Sequence, residues 1–218
     1  MPAESGTAHP ADPGPGTGAD PGTVRPGGRT ARVRAAVLRA AGDVLAEQGF
    51  AHLDLADVAR RAEVGRTTVY RRWGSVTALV ADLLVEMAET SLPRTDTGSL
   101  SGDLAANAAL VQRTLADPRQ GALFRAVVAA AACDERTAAA LRRFYEVRVA
   151  EWAPCVERAA ARGEVPPGTD AGTVVRAVSA PLYYTLLTTG TAPDAPAAAR
   201  AARAACAAAA AGVYVTGP

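Results

Sequence analysis

Five side chains close together in the sequence carry groups that suit contact with a nucleic acid: Arg66, Thr67, Thr68, Tyr70 and Arg71. Arginine can donate two parallel hydrogen bonds to guanine or contact a phosphate group. Threonine offers a hydroxyl to phosphate and a methyl group to thymine, and tyrosine offers a hydroxyl to the DNA backbone. The residue types in this segment therefore indicate a surface that contacts DNA.

The stretch 54–73, DLADVARRAEVGRTTVYRRW, predicts the scaffold that presents these groups. Asp54 can cap a first short helix, and Gly65 supplies conformational freedom for a turn. In the second helix Val69 and Trp73, four residues apart, point inward together and leave the polar side chains outside. A short helix, a tight turn and a basic helix form the layout of a helix-turn-helix motif, whose second helix reads bases in the major groove. An amphipathic helical hairpin with a solvated basic face is the alternative.

Positive charge is concentrated in the same part of the chain. The whole chain has 23 basic and 22 acidic residues and a net charge of only +1. Residues 29–73 alone hold nine arginines and five acidic residues, a net charge of +4. Because phosphate contacts supply most of the sequence-independent affinity for DNA, this distribution supports a DNA-binding segment near the N-terminus.

Four segments in fixed order resemble the DNA-binding domain of the TetR (tetracycline repressor) family of one-component bacterial regulators, over residues 29–87. They are RVRAAVLRAAGDVLAEQGF, LADVARRAEV, GRTTVYRRW and GSVTALVADLLVEM. The segments RGEVPPGTD and APLYYTLLTTG are similar to ligand-domain sequences of actinobacterial members. Two residues depart from the family pattern, since Gly65 stands where the family usually has Ser and Val76 where it often has Lys.

The resemblance implies a transcriptional regulator, usually a repressor, that binds a palindromic double-stranded DNA operator as a homodimer and is released by a small-molecule effector. It places the dimer interface on the last two helices. The DNA contacts are expected from seven residues: Thr30, Arg66, Thr67, Thr68, Tyr70, Arg71 and Ser75. Ser75 and the free amides of the following helix can hold a phosphate, whereas Val76 removes a contact that a lysine would make. A helical ligand-binding or protein-interaction module that has lost operator binding is therefore the alternative function.

Composition and resemblance together predict an all-α fold. The 218-residue chain is 49% hydrophobic but only 5% aromatic, and it shows no convincing run of alternating strand residues. We expect a disordered tail over 1–28, where few residues can be buried. An N-terminal three-helix helix-turn-helix DNA-binding domain would occupy 29–75, with its first helix starting at Thr30. A C-terminal helical ligand-binding and dimerisation domain would occupy 76–218.

The C-terminal part is expected to hold the effector. A fourth helix from Val76 to Met87 carries one apolar stripe and would link the DNA-binding domain to the body. Pro181 lies inside the predicted eighth helix and should free a carbonyl group one turn earlier. The side chains expected around a cavity are the large aromatic ones: Phe124, Phe144, Tyr145, Trp152, Tyr183 and Tyr184. Plain core packing is the alternative role for each, and the scarcity of inward charges favours an apolar or aromatic effector.

No pattern in the sequence indicates an enzyme, a metal or a cofactor. Both histidines are isolated, and neither a Gly-rich phosphate loop nor metal-ligand spacing is present. No apolar run reaches the ~18–20 residues of a membrane span, and the N-terminal residues lack the apolar core of a signal peptide. Three widely spaced cysteines indicate buried or partly buried thiols, which fits a cytoplasmic protein.

Overall fold

The computed structural model describes residues 26–90 and 96–216, and every regular element within these ranges is helical. The α-helices are α1 (Pro26–Gln48), α2 (Leu55–Arg61), α3 (Arg66–Trp73), α4 (Val76–Glu89), α5 (Leu100–Ala116), α6 (Pro118–Cys133), α7 (Glu135–Ala161), α8 (Ala171–Thr189) and α9 (Ala195–Ala210). A short 3-10 helix, Phe50–His52, follows α1. The predicted all-α fold is confirmed.

Aspartate side chains begin five of these helices. Each accepts a hydrogen bond from a backbone N–H of the first turn: Asp54, Asp117, Asp134, Asp170 and Asp194. The first turn of a helix has no internal acceptor for these N–H groups, so a cap of this kind contributes about 1 kcal/mol. The helix boundaries are therefore encoded locally, by single residues.

The start of α1 differs from the prediction. The helix begins at Pro26, four residues before Thr30, so that residues 26–28 are helical rather than part of a tail. Proline suits a first helical turn, because its φ is already helical and its missing N–H would have had no acceptor there. The rest of the predicted tail, residues 1–25, lies outside the described residues.

Two helices, α4 and α6, connect the N-terminal and C-terminal parts of the molecule. α1, α2 and α3 pack together, and α4 packs against both α1 and the long α7. α6 packs against α1 as well as α7, while α5, α8 and α9 pack on one another. The predicted apolar stripe of α4 is buried at Leu79, Val80, Leu83 and Leu84. α4 and α6 therefore both contact α1 of the N-terminal part and α7 of the C-terminal part.

Two helices contain an internal proline. Pro181 lies inside α8, as the sequence indicates, and Pro154 lies inside α7, which the sequence analysis did not single out. Because proline has no N–H, each removes one hydrogen bond of its helix.

The prediction that the three cysteines are buried or partly buried is met in part. Cys155 is buried and Cys206 is half-buried, but Cys133 is exposed, and all three are free thiols. Cys133 is the last residue of α6. Among the described residues, no helix is both long enough and apolar enough to cross a membrane.

Candidate nucleic-acid interface and interior cavity

The turn between α2 and α3 is closed by backbone hydrogen bonds. The N–H of Val64 donates to the carbonyl of Ala59 (3.0 Å), and the N–H of Glu63 donates to that of Arg60 (3.2 Å), which is the Schellman pattern of a helix end. This pattern needs one left-handed residue, and Glu63 takes that role with φ of 54°. The sequence analysis assigned the freedom of this turn to Gly65, which is wrong, since Gly65 has φ of −59°. The left-handed glutamate costs about 1–2 kcal/mol.

The inner face of α3 is fixed by two side chains. Val69 is fully buried and Trp73 is 8% exposed, as their spacing predicts. Gly74 follows in the left-handed conformation and ends the helix. The guanidinium of Arg72 lies over the indole ring of Trp73, 5.2 Å from its centroid.

The outer face of α3 carries the five DNA-contacting side chains that the sequence predicts on this helix. Arg66, Thr67, Tyr70 and Arg71 are exposed, and Thr68 is half-buried. On α2, the arginines are engaged, since Arg60 pairs with Asp57 and Arg61 with Glu47 and Asp57. Arg66 and Arg71, in contrast, form no ion pair with any residue that the structure describes. Their guanidinium groups remain available for an external partner.

The two other predicted contacts flank this face. Thr30 is exposed near the start of α1. Ser75 is exposed and caps α4, because its Oγ accepts from the N–H of Ala78 at 3.2 Å. The next residue, Val76, packs against the hydrophobic core. The start of α4 therefore offers a hydroxyl and free amides, without the cation that the family pattern often has there.

A single carboxylate on α4 joins the recognition helix α3 to α1. Trp73 donates its indole N–H to Asp82 Oδ2 at 2.9 Å. Arg34 of α1 donates from Nη2 to Asp82 Oδ1 at 2.7 Å and from Nε to Oδ2 at 3.1 Å. The Trp73–Asp82–Arg34 cluster therefore fixes the C-terminal end of the recognition helix relative to both neighbouring helices.

The pKa of Asp82 shows which effect prevails in this cluster. Burial by itself raises the pKa of the carboxyl group, but hydrogen bonds from Arg34 and Trp73 favour the ionised form, and the net pKa is lowered. The hydrogen bond to Asp82 in turn raises the pKa of Arg34. Both partners are therefore charged at neutral pH, and the cluster is intact under those conditions.

An interior cavity of about 590 Å³ lies where the C-terminal helices meet α1 and α4. This volume is in the range of sites for drug-sized ligands. Five of the six predicted aromatic residues line it: Phe124, Phe144, Tyr145, Trp152 and Tyr183. The sixth does not, since Tyr184 is 69% exposed. Successive residues of a helix lie about 100° apart around its axis. Because Tyr183 points from α8 into the cavity, Tyr184 points away from it.

Four of the cavity residues form a closed circuit of aromatic contacts. Phe124 lies 5.7 Å from both Phe144 and Tyr183, measured between ring centroids. Tyr145 closes the circuit at 5.2 Å from Phe144 and 5.4 Å from Tyr183. Burial raises the pKa of Tyr145 to about 12 and that of Tyr183 well above its ordinary value. Both hydroxyl groups are therefore uncharged at neutral pH.

One arginine connects this aromatic wall to the end of α4. Arg148 of α7 donates from Nη2 to the carbonyl oxygens of Met87 and of Thr90, the latter at 2.8 Å. Its Nη1 donates to Glu151 at 2.8 Å, and its guanidinium lies 5.3 Å from the centroid of the Phe144 ring. Carbonyl groups in the last turn of a helix have no internal donors, so Arg148 satisfies groups of α4 that would otherwise need water.

A second ion pair joins the cavity to α1. Arg119 of α6 lines the cavity and donates from Nε to Asp43 Oδ1 of α1 at 2.7 Å. Both side chains are about 40% exposed, so the pair contributes at most ~1 kcal/mol. Its importance is positional, because it fixes one contact between α6 and the DNA-binding part.

The sequence analysis missed Asp82, Arg148 and the polar cavity residue Asn107. Asp82 had a local signal, since it is an acid within an apolar helix and Trp73 needs an acceptor for its N–H. The contact of Arg148 with α4 had none, because Met87 and Thr90 lie 61 and 58 residues away. Asn107 had none either, because its Oδ1 has no partner among the described residues.

The fold and the free basic face of α3 define a helix-turn-helix DNA-binding protein with a helical body. Residues 37–83 match the family model of bacterial regulatory proteins, tetR family, and residues 94–205 match that of the tetracyclin repressor-like C-terminal domain. The chain belongs to the TetR family of transcriptional regulators. Members of this family regulate transcription and are not enzymes.

Related proteins share most of the chain. The chain is 31% identical to the uncharacterized HTH-type transcriptional regulator YdeS of Bacillus subtilis, over 71% of this chain and 78% of YdeS. It is 33% identical to the HTH-type transcriptional regulator AqdR of Rhodococcus erythropolis, over 75% of this chain and 78% of AqdR. The crystal structure of the TetR family transcription regulator SCO0332 superposes with a TM-score of 0.64 at 29% identity, covering 81% of this chain and 97% of that one.

Replacement of Asp82 should destabilise the protein in a pH-dependent way. Asp82→Asn keeps an acceptor for Trp73 but removes the charge that pairs with Arg34, so we expect a loss of about 1–3 kcal/mol in the free energy of unfolding at pH 7. Because the pKa of Asp82 is lowered in the folded protein, its contribution is present above the unfolded pKa of ~3.9 and is lost as the pH falls below about 4.

Urea unfolding at a fixed protein concentration, between pH 7 and pH 2, measures this difference. Glu89→Gln is the matched control, since it makes the same change to an exposed acid on the same helix and should alter stability by less than ~0.5 kcal/mol. A difference between wild type and Asp82→Asn that stays constant down to pH 2 would show that the ionised carboxylate does not hold the cluster.

Proposed function

We propose that this protein is a cytoplasmic, homodimeric repressor that binds a near-palindromic DNA operator and leaves it when a small molecule occupies the interior cavity. The observation that carries this proposal is that α1 and α4 take part in both sites. Asp82 of α4 accepts a hydrogen bond from Trp73 of the recognition helix and pairs with Arg34 of α1. Leu38 of α1 and Leu83 of α4 line the cavity.

The recognition surface in this proposal is the exposed face of α3. Arg66 and Arg71 supply bidentate or phosphate contacts, and Tyr70, which is 47% exposed, supplies a hydroxyl and an aromatic face. Thr67 and Thr68 reach phosphate or a thymine methyl group. Thr30 and Ser75 contact the DNA backbone on either side, where the free amides of α4 favour a phosphate.

The dimer is proposed to form through α8 and α9. Tyr184 and Leu187 lie one turn apart on the outer face of α8 and are exposed in the single chain, at 69% and 43%. α9 packs against α8 and exposes small alanine side chains, which permit close approach of another helix. A dimer would place two recognition helices about one DNA turn, ~34–36 Å, apart, and a two-fold axis makes the operator near-palindromic.

Release is proposed to pass through α4 and α6. A ligand among the aromatic rings changes the position of Phe144, on which Arg148 stacks, and so disturbs the hydrogen bonds that hold the end of α4. On the opposite wall, Arg119 transmits displacement of α6 to Asp43 of α1. The ligand lowers operator affinity by its preference for the displaced state.

The second candidate function is a helical ligand-binding or protein-interaction module without an operator. The observation that favours it is Val76, which removes a cation from the start of α4. Operator-specific binding at physiological salt excludes this alternative, because nonspecific phosphate contacts weaken steeply as salt rises.

Substitutions on α3 should weaken operator binding without affecting assembly. The operator would be located by footprinting the intergenic DNA upstream of the protein's own gene, at about 150 mM salt with excess nonspecific competitor. We expect Tyr70→Ala and Arg71→Ala each to lower operator affinity about tenfold or more. Arg136→Ala, at an exposed arginine at the start of α7, should leave affinity unchanged. Wild-type affinity in both α3 variants would exclude the proposed recognition surface.

Substitution of Leu187 should separate the two subunits. Leu187→Glu places a charge in the proposed interface, where burial without a partner costs several kcal/mol, so we expect monomers by sedimentation velocity. Val85→Glu is the control, because Val85 is similarly exposed (39%) but lies on α4. A Leu187→Glu protein with the same sedimentation coefficient as wild type would place the interface elsewhere.

Loss of Arg148 should reduce operator affinity at a distance from the DNA. Arg148→Gln removes the donors for Met87 and Thr90, and we expect operator affinity to fall about two- to tenfold as the end of α4 is released. Arg142→Gln is the control on the same helix, since Arg142 only pairs with exposed Glu135. Equal operator affinities of wild type and Arg148→Gln, in fluorescence anisotropy, would exclude this coupling.

A further inference from the structure

The lining of the cavity contains a buried polar atom that forms no hydrogen bond with any residue in the described ranges. Asn107 of α5 lines the cavity and is only 3% exposed. Its Oδ1 is buried and accepts no hydrogen bond from the described residues. Most buried side-chain oxygens in folded proteins have a donor, so an unpaired amide oxygen at a cavity wall requires an explanation.

Asn107 differs in this respect from the other residue with an unpaired buried oxygen. Asp103, one turn earlier on α5, also has an Oδ2 without a hydrogen bond, but Asp103 does not line the cavity. Its Oδ1 accepts two hydrogen bonds from Thr97, and Arg158 lies 3.6 Å from its Oδ2. Asp103 therefore has a structural role at the start of α5, whereas Asn107 faces a site that a ligand can enter.

The lining of the cavity contains no buried, unpaired cation among the described residues. Arg119 is paired with Asp43, and Arg148 with Glu151 and with two backbone carbonyls. The third arginine of the lining, Arg39, is exposed, and Glu86 is the one acidic residue of the lining. Because burial of a charge without an opposite partner is strongly unfavourable, this lining favours an uncharged ligand.

The aromatic circuit defines the shape of the partner. The rings of Phe124, Phe144, Tyr145 and Tyr183 meet at tilted or edge-to-face angles between 52° and 90° and all line the cavity. A further aromatic ring can stack on such a wall or meet it edge-on, which contributes beyond the buried area. The uncharged tyrosine hydroxyls add no charge to this surface.

We infer that the cavity binds an uncharged aromatic molecule whose O–H or N–H group donates a hydrogen bond to Asn107 Oδ1. The χ2 torsion of asparagine is broad, so the amide oxygen can turn toward such a donor at small cost. A donor group is favoured over a purely apolar edge, because it supplies a hydrogen bond that this buried oxygen otherwise lacks. This inference deepens the proposed function, since it gives the chemical class of the effector.

Three biphenyls that differ in one substituent test the inference. They are 4-phenylphenol, which has a donor, 4-methoxybiphenyl, which has none, and biphenyl-4-carboxylate, which is charged. Titration calorimetry with the full-length protein would measure their affinities for wild type and Asn107→Leu, a substitution that keeps the number and branching of the side-chain non-hydrogen atoms and removes the amide. Thr114→Val is the matched control, because Thr114 lines the same cavity from α5 but already donates to the carbonyl of Leu110 at 3.0 Å.

We expect wild type and Thr114→Val to bind 4-phenylphenol about tenfold more tightly than 4-methoxybiphenyl, and both more tightly than the carboxylate. In Asn107→Leu the preference for the phenol should disappear while the affinity for 4-methoxybiphenyl is retained, which also shows that the variant is folded. Equal wild-type affinities, a preference that survives in Asn107→Leu, tighter binding of the carboxylate, or binding of none of the three would overturn the inference.

Calorimetry distinguishes this inference from the proposed function, because it requires no DNA. The same proteins would then be titrated on the operator with and without 4-phenylphenol. Donor-dependent binding without loss of operator affinity would support the ligand class and contradict ligand-controlled release. Loss of operator affinity that is equal for the phenol and the methoxy compound would support release and contradict the role of Asn107.

Discussion

The hydrogen bonds of Asp82 set the position of the DNA-recognition helix. An eight-residue helix such as α3 is too short to be stable alone, so its orientation depends on what its inner face contacts. Val69 and Trp73 give it apolar packing, which resists separation but not rotation. The hydrogen bond from the Trp73 indole to Asp82 adds a direction, and Arg34 fixes the same carboxylate from α1. The face that carries Arg66 and Arg71 is oriented as a consequence.

This constraint also explains why α4 can connect DNA binding to the interior. Asp82 and Leu83 are adjacent, and one belongs to the cluster with Trp73 while the other lines the cavity. α4 therefore carries both the contact with Trp73 and part of the cavity wall. The carbonyl groups at the end of this helix accept hydrogen bonds from Arg148. Because a packed helix resists internal deformation, the proposed release needs no separate pathway of side chains between the cavity and the recognition helix.

Three features of the single chain lack a partner among the described residues. The amide oxygen of Asn107 has no donor, Tyr184 and Leu187 expose apolar surface, and Arg66 and Arg71 have no counterion among the described residues. In the functions proposed above, each is complemented by a different partner: a hydrogen-bond donor of the ligand, a second apolar helix face, and a phosphate backbone. The three sites lie on different elements, α5, α8 and α3.

The sequence by itself determined the all-α class of the fold, the cap of the first helix of the motif and the two faces of the recognition helix. These features depend on residues within one or two helical turns, so Asp54, Val69 and Trp73 could be assigned from spacing alone. It also identified five of the aromatic residues around the cavity, because large side chains in an alanine-rich chain have few other places to pack. The sequence did not decide which of the adjacent residues Tyr183 and Tyr184 lines the cavity. Tyr183 faces inward and Tyr184 outward because of how α8 packs on α6 and α9.

Only the tertiary structure decided which distant groups meet. Asp82 pairs with Arg34 across 48 residues, Arg148 reaches the end of α4 across about 60, and the Oδ1 of Asn107 has no partner among the described residues. Local patterns carry no information on such pairs, since long-range hydrogen bonds depend on how whole helices are placed. The same holds for the turn at Glu63, where the backbone hydrogen bonds that end α2 outweigh the cost of a left-handed residue and leave Gly65 in an ordinary conformation.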